Sequence, residues 1–492
     1  MIHDLDQAQA PSDTLTADAC IVGAGPAGIS LALTLARQRP DWHIVLLEAG
    51  GFENATDQEK DIYTVELGEK SYPVLDISRR RKFGGTSTHW GGWCKPLDAT
   101  DYEDNTTWDA PAWPINAETL SPYLKDSLRW VEIESEDFNI ENVRNNHADK
   151  LLNLPHESNI RESVFRFSPP TRFGDRYRQD IASQENLTCL THANLYELVT
   201  SADRITSAKA RSLSGEQVNI TATHFVLALG GMETTRQLLN LRKNDHEDGT
   251  GLHSWHLGRY FADHYGLRPG LVLAPENLQY HRFSDSSGAV MPVLNFSEYA
   301  IRTQGYNNSC MMLSAVNAEN SLLNGYGGHT GLGFSADSYW HYRVQMIIEP
   351  RPNPESRLTL IQERCELGLR RMKLDWRPHA SDFTAGYALY QTLGEALSIT
   401  GKGRWQLANP DSKEVRSNVN GACHHLGTTR MAKNPEDGVV DNNLKVFDSE
   451  NLYVASSSVF PRYGHANPTL TLIALSLRLA HHLSEKQPEE TA

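Results

Sequence analysis

A glycine-rich turn near the N-terminus constrains the fold of this chain more than any other segment. The sequence GAGPAG, whose glycines are Gly23, Gly25 and Gly28, follows an apolar run at residues 18–22 and precedes an apolar-rich stretch that continues to residue 39. A second apolar run, residues 43–47, ends at Glu48. This order predicts a strand, a glycine turn, a helix and a second strand.

The residues of this unit fit a dinucleotide site. Gly23 permits the tight turn, Gly25 lets backbone N–H groups approach a pyrophosphate at the helix N-terminus, and Gly28 allows the helix to pack closely on the strand. Glu48 is an acceptor for ribose hydroxyls, and its carboxylate would repel a 2′-phosphate, which disfavours NADP. This segment alone leaves both FAD and NAD open.

Two further glycine-rich segments bear on the cofactor. In FGGTSTHWGGW, residues 83–93, four glycines let the backbone pass close to a flat ligand, although a glycine-rich turn over a hydrophobic base is the alternative interpretation. In THFVLALGG, residues 223–231, a second buried strand ends in glycines and opens into a helix. A strand that returns to the nucleotide sheet this late predicts a discontinuous nucleotide domain.

The C-terminal region carries a third set of motifs. HHLGTTRM occupies residues 424–431, NLYVA residues 451–455, and GHANPT residues 464–469, before an apolar helix that reaches about residue 482. Asn467 suits the N-cap and Pro468 the first helical position. The positive end of this helix would therefore favour negative charge that develops beyond Asn467.

In the order of these motifs, the chain resembles the glucose-methanol-choline (GMC) oxidoreductase family over nearly its whole length. Within that family, its motifs are most similar to those of pyranose oxidases and of bacterial sugar and polyol dehydrogenases. The segment EPRPNPESRLT, residues 349–359, is similar to the family's crossing into the substrate-domain sheet. The resemblance implies an α/β fold with a doubly wound, Rossmann-type FAD domain and an α+β substrate domain built on an antiparallel sheet. We expect the FAD domain at residues 15–135, 180–268 and 418–492, and the substrate domain at residues 136–179 and 269–417.

The resemblance also implies a set of site residues. His424 matches the catalytic histidine, which accepts the hydroxyl proton while a hydride passes to flavin N5, and Asn467 matches its hydrogen-bonding partner. His425 is the alternative base, His465 is a candidate for shaping the pocket, and Asn467 could be a helix cap and nothing more. The expected FAD-binding residues are Gly23, Gly25, Gly28, Glu48, Gly84, Gly85, Thr86, Ser87, His89, Trp90, Gly91, Gly92, Gly230, Pro468 and Thr469.

Some details of the site have two interpretations. In pyranose oxidases a histidine of a similar segment bonds covalently to the flavin, so His89 is either an attachment site or a residue that packs beside the ring. Gly91 stands where pyranose oxidases carry a threonine, which favours a dehydrogenase over an oxidase. Aromatic candidates for a sugar-binding wall are Trp90, Trp93, Trp340, His341 and Tyr342.

Composition excludes several classes of function. The formal net charge of -15 argues against sequence-independent binding to nucleic acid or anionic membranes. The one basic run, residues 79–82, is either a solvated loop or the rim of an anionic cofactor site. The 6 cysteines form no CxxC pair, so neither a metal site nor haem is implied. Without a cationic leader or an apolar span of eighteen residues, the sequence predicts a cytoplasmic protein that does not insert into membranes.

The sequence therefore predicts an FAD-dependent enzyme that oxidises an alcohol of a small molecule, such as a sugar, glycoside or polyol. Its electron acceptor would be oxygen, a quinone or a redox protein. A GMC-type lyase without net redox change and a flavin-binding subunit without catalysis are the alternatives. An NAD-dependent dehydrogenase is disfavoured by the two later FAD-type segments.

Overall fold

The computed structural model of the chain describes residues 1–7, 12–68, 72, 75–242, 251–316, 339–407 and 421–486. The strands, in chain order, are β1 Ile2–Asp4, β2 Thr14–Val22, β3 Ile44–Leu47, β4 Val65–Leu67, β5 Trp93–Cys94, β6 Ile160–Phe167, β7 Leu187–Thr191, β8 Asn194–Ser201, β9 Arg204–Arg211, β10 Gln217–Leu227, β11 Tyr265–Leu267, β12 Gly270–Ala274, β13 Phe283–Asp285, β14 Gly288–Phe296, β15 Cys310–Val316, β16 Trp340–Ile348, β17 Arg357–Arg364, β18 Arg370–Asp375, β19 Arg404–Leu407 and β20 Leu452–Val454. The helices are α1 Pro26–Gln38, α2 Asp57–Asp61, α3 Leu75–Ser78, α4 Ala117–Trp130, α5 Ile140–His147, α6 Phe173–Ser183, α7 Gly230–Leu241, α8 Glu298–Gln304, α9 Ala380–Ile399 and α10 Pro468–Ser484.

The first predicted strand is β2, the helix after the glycine turn is α1, and the second predicted strand is β3. Both strands belong to an eight-stranded sheet. Strand β2 pairs in parallel with β3 on one side and with β10 on the other, and β10 pairs in parallel with β20. The four residues of β3 are all buried, as is typical of a parallel strand covered on both faces. Strands from the start, middle and end of the chain thus meet in one sheet, as the late glycine-ended strand predicts.

A nine-stranded sheet forms the second layer of the structure, in the order β19, β12, β16, β15, β14, β6, β5, with β11 beside β16 and β13 beside β14. Every pairing in it is antiparallel. Apolar residues of its inner strands and of α9 form a separate hydrophobic core. The predicted α/β fold is therefore confirmed, with a first sheet that is parallel except for its antiparallel strands β9 and β8, and a second sheet that is antiparallel.

The crossing at residues 349–359 differs from the prediction. Strand β16 ends at Ile348 inside the nine-stranded sheet, and the chain then passes to β17, which pairs with β18 in a separate three-stranded sheet completed by β4. These residues therefore lead out of the antiparallel sheet instead of into it. Pro350, Pro352 and Pro354 lack the N–H that a ladder needs, which accounts for the break between the strands.

The predicted domain boundaries stay a prediction. Strands β5 and β11 lie in ranges expected for the FAD domain, and both pair with strands of the nine-stranded sheet.

All 6 cysteines are free thiols, five of them buried. Among the described residues, no helix is both long enough and apolar enough to cross a membrane.

Candidate active site

A cavity of about 440 Å³ lies where the turn before α1, the loop at residues 85–92, the start of α7, residues 422–425 and the start of α10 meet. Most of the residues expected at the site line it. They are Gly23, Gly25, Glu48, Gly85, Thr86, His89, Trp90, Gly91, Gly92, Gly230, His424, Asn467, Pro468 and Thr469. Three expected residues, Gly28, Gly84 and Ser87, are not among the residues that line this cavity.

The glycine turn has the geometry that its sequence predicts. Gly23 has a φ of 109°, which favours glycine, and a Cβ at Gly28 would lie 1.8 Å from the Gly23 carbonyl oxygen. A Cβ at Gly25 would meet no heavy atom within 4 Å, so this residue faces open space in the cavity. Gly28 therefore serves the packing of α1, and Gly25 leaves room for a ligand at the N-terminus of the helix.

Glu48 follows β3 and is buried at the edge of the cavity. Its Oε2 accepts a hydrogen bond from the Ala24 N–H at 2.8 Å, and its Oε1 accepts one from the Gly50 N–H at 2.9 Å. Burial raises the pKa of Glu48 to about 7, and the two amides oppose this shift. Each carboxylate oxygen can accept more than one hydrogen bond, so Glu48 retains capacity for ribose hydroxyls.

The loop at residues 83–93 packs against the glycine turn. Gly84 has a φ of 93°, and a Cβ there would lie 2.5 Å from the Gly174 nitrogen. Ser87 Oγ donates to the Gly84 carbonyl at 2.6 Å and accepts from the Phe173 N–H at 3.1 Å. Gly84 and Ser87 thus hold the loop in shape, while its other predicted residues, His89 included, face the cavity.

The basic run is mostly buried. Arg79 Nη1 pairs with Glu233 Oε1 of α7 at 2.7 Å, and Arg81 Nη2 donates to the Ala49 carbonyl at 3.2 Å. The interpretation as a solvated loop is therefore wrong for Arg79 and Arg81. Arg79 and the partly buried Arg80 line the cavity, which favours the rim of an anionic cofactor site.

Two adjacent histidines, both lining the cavity, have different surroundings. His424 Nδ1 lies 2.8 Å from the Nδ1 of His264, a residue that the sequence motifs do not single out. His425 contacts the rings of Tyr72 and Phe261, and its Nε2 has no hydrogen-bond partner among the described residues. Burial lowers the pKa of both histidines, that of His425 to about 3, so both are neutral near pH 7.

Asn467 occupies the predicted N-cap of α10, with Pro468 at the first helical position. Its side chain makes no capping hydrogen bond, and its buried Oδ1 has no hydrogen-bond partner among the described residues. A buried amide oxygen without a partner is costly, and this one belongs to a residue that lines the cavity. The side chain of Asn467 is therefore not used in capping, and the first turn of α10 remains open toward the cavity.

The segment before Asn467 is fixed by buried polar groups, of which Glu349 and Arg462 are not marked as site residues by any sequence motif. Glu349 Oε1 accepts from Arg462 Nε at 3.1 Å and from the Gly464 N–H at 3.0 Å. His465 is fully buried, its Nδ1 lies 2.9 Å from the Asn308 carbonyl oxygen, and it is not among the residues that line the cavity. His465 therefore supports the segment from behind.

The aromatic candidates for a sugar-binding wall are dispersed. Trp90 lines the cavity, and its Nε1 donates to the Thr171 carbonyl at 2.9 Å. Trp93 packs against Phe165 and Phe167 in the antiparallel sheet. The three candidates of β16, Trp340, His341 and Tyr342, are not among the lining residues. The described part of the chain therefore brings only one of the five to the cavity.

Comparisons with known proteins find a family match and several relatives. Residues 352–476 match the family model for the C-terminal domain of GMC oxidoreductases. The chain is 26% identical over 312 residues to 2-methyl-1,2-propanediol dehydrogenase of Mycolicibacterium austroafricanum. The aligned region covers 60% of this chain and 54% of that protein. It is 26% identical over 309 residues to the large subunit of fructose dehydrogenase of Gluconobacter japonicus, covering 59% of this chain and 53% of that one. The chain thus matches about half the length of these curated relatives.

Solved structures show the same fold. Pyridoxine 4-oxidase from Mesorbium loti superimposes with a TM-score of 0.59 and 19% identity, covering 94% of this chain and 98% of that one. A formate oxidase superimposes with a TM-score of 0.60 and 17% identity, covering 96% and 98%. Residues 352–476 thus match the C-terminal domain of the GMC oxidoreductase family, and the chain is similar in fold to these solved structures.

Proposed function

We propose that the chain is an FAD-dependent enzyme that oxidises a primary or secondary alcohol group to the carbonyl, with a sugar, glycoside or polyol as substrate. The observation that carries this proposal is that the glycine turn, Glu48, His424 and Asn467 line one cavity. The residues that suit a dinucleotide therefore line the same cavity as the neutral imidazole of His424 and the amide of Asn467. The names of the two relatives above, which are dehydrogenases of a diol and of a sugar, support this class of substrate.

The residues present fit FAD. Gly25 leaves open space at the N-terminus of α1, Glu48 retains acceptor capacity, and Arg80 adds a cation to the cavity wall. A related solved structure, a variant of the Aspergillus oryzae RIB40 formate oxidase, was described for its FAD modification. When bound, FAD supplies the two-electron acceptor that alcohol oxidation requires.

The polar end of the cavity provides the groups that act on an alcohol. His424, neutral because burial lowers its pKa, accepts the hydroxyl proton, which is the role of a general base. Asn467 holds the substrate oxygen through its side-chain amide, which no cap interaction occupies. The open first turn of α10 stabilises negative charge at this end of the cavity.

The alternatives differ in what they require of the same residues. A GMC-type lyase would use the same cavity without net redox change, so only a substrate test separates it from an oxidoreductase. A non-catalytic flavin-binding subunit would not need His424 and Asn467 in one cavity. Gly91, which lines the cavity, favours a dehydrogenase with a quinone or a redox protein as acceptor over an oxidase, which would use oxygen. The cytoplasmic location stays a prediction.

We expect the purified protein to be yellow and to carry FAD. The physical reason is the match between the turn at Gly23, Gly25 and Gly28, the acceptor Glu48 and an extended dinucleotide. Denaturing the protein and chromatographing the released cofactor measures this directly. Recovery of NAD or FMN, or of no cofactor after reconstitution with FAD, would contradict the proposal.

His89 lines the cavity within the STHW segment, so it is either the site of a covalent bond to the flavin or a residue that packs beside the ring. After acid precipitation, covalent flavin stays yellow in the pellet, while reversibly bound flavin leaves with the supernatant. Retention of the flavin by the wild type together with its release from His89→Ala would fix the attachment site at His89. Complete release from the wild type would reduce His89 to a packing role, and retention in both proteins would assign the bond to another residue.

A further inference from the structure

His264 is fully buried beside the candidate base. Its ring lies nearly perpendicular to that of His424, at 86° with the centroids 5.1 Å apart, and the two Nδ1 atoms are 2.8 Å apart. The other ring nitrogen of His264, Nε2, lies 2.9 Å from the Gly464 carbonyl oxygen. His264 thus bridges the segment that carries His424 and the segment that leads to Asn467.

The hydrogen-bonding rules of imidazole fix the protons in this arrangement. A carbonyl oxygen only accepts, so His264 Nε2 carries the hydrogen. Burial lowers the pKa of His264 to about 4, and the ring is therefore neutral near pH 7, with a lone pair on Nδ1. A contact between two Nδ1 atoms needs one donor, and only His424 Nδ1 can supply it.

The second nitrogen of His424 is consequently the acceptor. His424 is neutral because burial lowers its pKa, with His264 and His425 acting in the same direction, so a hydrogen on Nδ1 leaves a lone pair on Nε2. This Nε2 has no hydrogen-bond partner among the described residues, and His424 lines the cavity. The contact with His264 leaves free the nitrogen that a substrate hydroxyl can reach.

The neighbouring residue holds the backbone of the same histidine. Asp263 Oδ1 accepts from the His424 N–H at 2.8 Å, and its Oδ2 accepts from the Cys423 N–H at 3.0 Å. Residues 262–265 run beside residues 421–426, with bridges between Ala262 and Leu426 and between Tyr265 and Gly421. Asp263 therefore fixes the main chain of His424, while His264 fixes its ring.

We infer that His264 is a positioning residue that selects the His424 tautomer with its lone pair on Nε2 and shares the charge when His424 gains a proton. This inference rests on the proposed function. When the substrate O–H bond breaks, its proton goes to His424 Nε2, and His424 Nδ1–H remains donated to His264. Because that Nδ1 proton is shared, the positive charge spreads over the two imidazole rings. The Gly464 carbonyl oxygen, which accepts from His264 Nε2–H, stabilises the charge on the second ring.

The test uses the FAD-loaded protein and two substitutions. His264→Leu removes the acceptor, whereas His264→Asn keeps an oxygen close to the position of Nδ1. The matched control is His256→Gln, which removes a partly buried imidazole that is not among the residues lining the cavity and that hydrogen-bonds the Glu436 carbonyl oxygen at 2.7 Å. The measurements are anaerobic flavin reduction over a range of alcohol concentrations and histidine tautomers by ¹⁵N NMR.

We expect His264→Leu to lower the limiting rate of flavin reduction by about tenfold to a hundredfold, with a much smaller change in substrate affinity, because loss of the correct tautomer impairs general-base catalysis. His264→Asn should recover part of the rate, and His256→Gln should match the wild type. In the wild type, NMR should show His424 protonated at Nδ1 and His264 at Nε2.

Either of two results would overturn the inference: a His424 protonated at Nε2 in the wild type, or an unchanged limiting rate in His264→Leu. The NMR measurement needs no turnover. If no alcohol reduces the flavin, the proposed function fails while the tautomers still decide whether His264 positions His424. If His264→Leu does not fold, His264→Asn and the wild-type tautomers decide.

Discussion

His424→Ala is expected to slow flavin reduction by an alcohol about a hundredfold or more, the usual scale for loss of a general base, while FAD stays bound. The imidazole lines the cavity, is neutral because burial lowers its pKa, and is held by His264 at 2.8 Å. The alanine variant removes the proton acceptor without touching the glycine turn or Glu48. Anaerobic stopped-flow measurement of flavin reduction gives the rate directly.

The adjacent histidine provides the matched control. His425 also lines the cavity, but it packs between Tyr72 and Phe261, and its Nε2 has no hydrogen-bond partner in the part of the chain that the structure describes. His425→Ala should therefore reduce flavin at a rate within about tenfold of the wild type, well short of the loss expected for a general base. A normal rate in His424→Ala together with a slow His425→Ala would move the proton acceptor to His425.

The second large effect is expected at the glycine turn, where two alanine substitutions should fail in different ways. A Cβ at Gly28 would lie 1.8 Å from the Gly23 carbonyl oxygen, so Gly28→Ala must displace α1 from β2 and should lower the thermal midpoint of the apoprotein. A Cβ at Gly25 meets no heavy atom within 4 Å, so Gly25→Ala should leave that midpoint unchanged.

The affinity for FAD should also differ between the two variants. The methyl group of Gly25→Ala occupies space that the diphosphate needs, and overpacking of about 1–3 kcal/mol corresponds to roughly tenfold to a hundredfold weaker binding. Titration of each apoprotein with FAD, followed by fluorescence, measures this loss. Unaltered FAD affinity in Gly25→Ala would show that the dinucleotide does not approach the turn.

The parts of the site that the sequence predicts are those with a local signature. The turn at Gly23, Gly25 and Gly28 needs φ values and close approaches that only glycine permits, and the N-cap at Asn467 is marked by the proline after it. The end of strand β10 is a short apolar run that is followed by glycines. Such a local pattern is sufficient to predict that β10 returns to the sheet of β2 and β3.

The parts that the sequence does not predict depend on contacts between distant segments. His264 meets His424 across 160 positions of the chain, and Arg462 meets Glu349 across 113. Neither pair has a spacing that a helix or a turn would impose, so no local pattern marks it. For the same reason, Gly84 and Ser87 belong to a motif expected to contact the cofactor, yet their partners are Gly174 and Phe173 of α6.

The central claim is that an alcohol gives two electrons to FAD in this protein. Mixing the yellow protein anaerobically with a panel of sugars, glycosides and polyols, and recording the visible flavin absorbance, tests it most directly. We expect that at least one alcohol bleaches the flavin, that the carbonyl product appears in equal amount, and that a quinone dye or oxygen restores the colour. A flavin that dithionite bleaches but no alcohol of the panel does, or a product formed without bleaching, would contradict it.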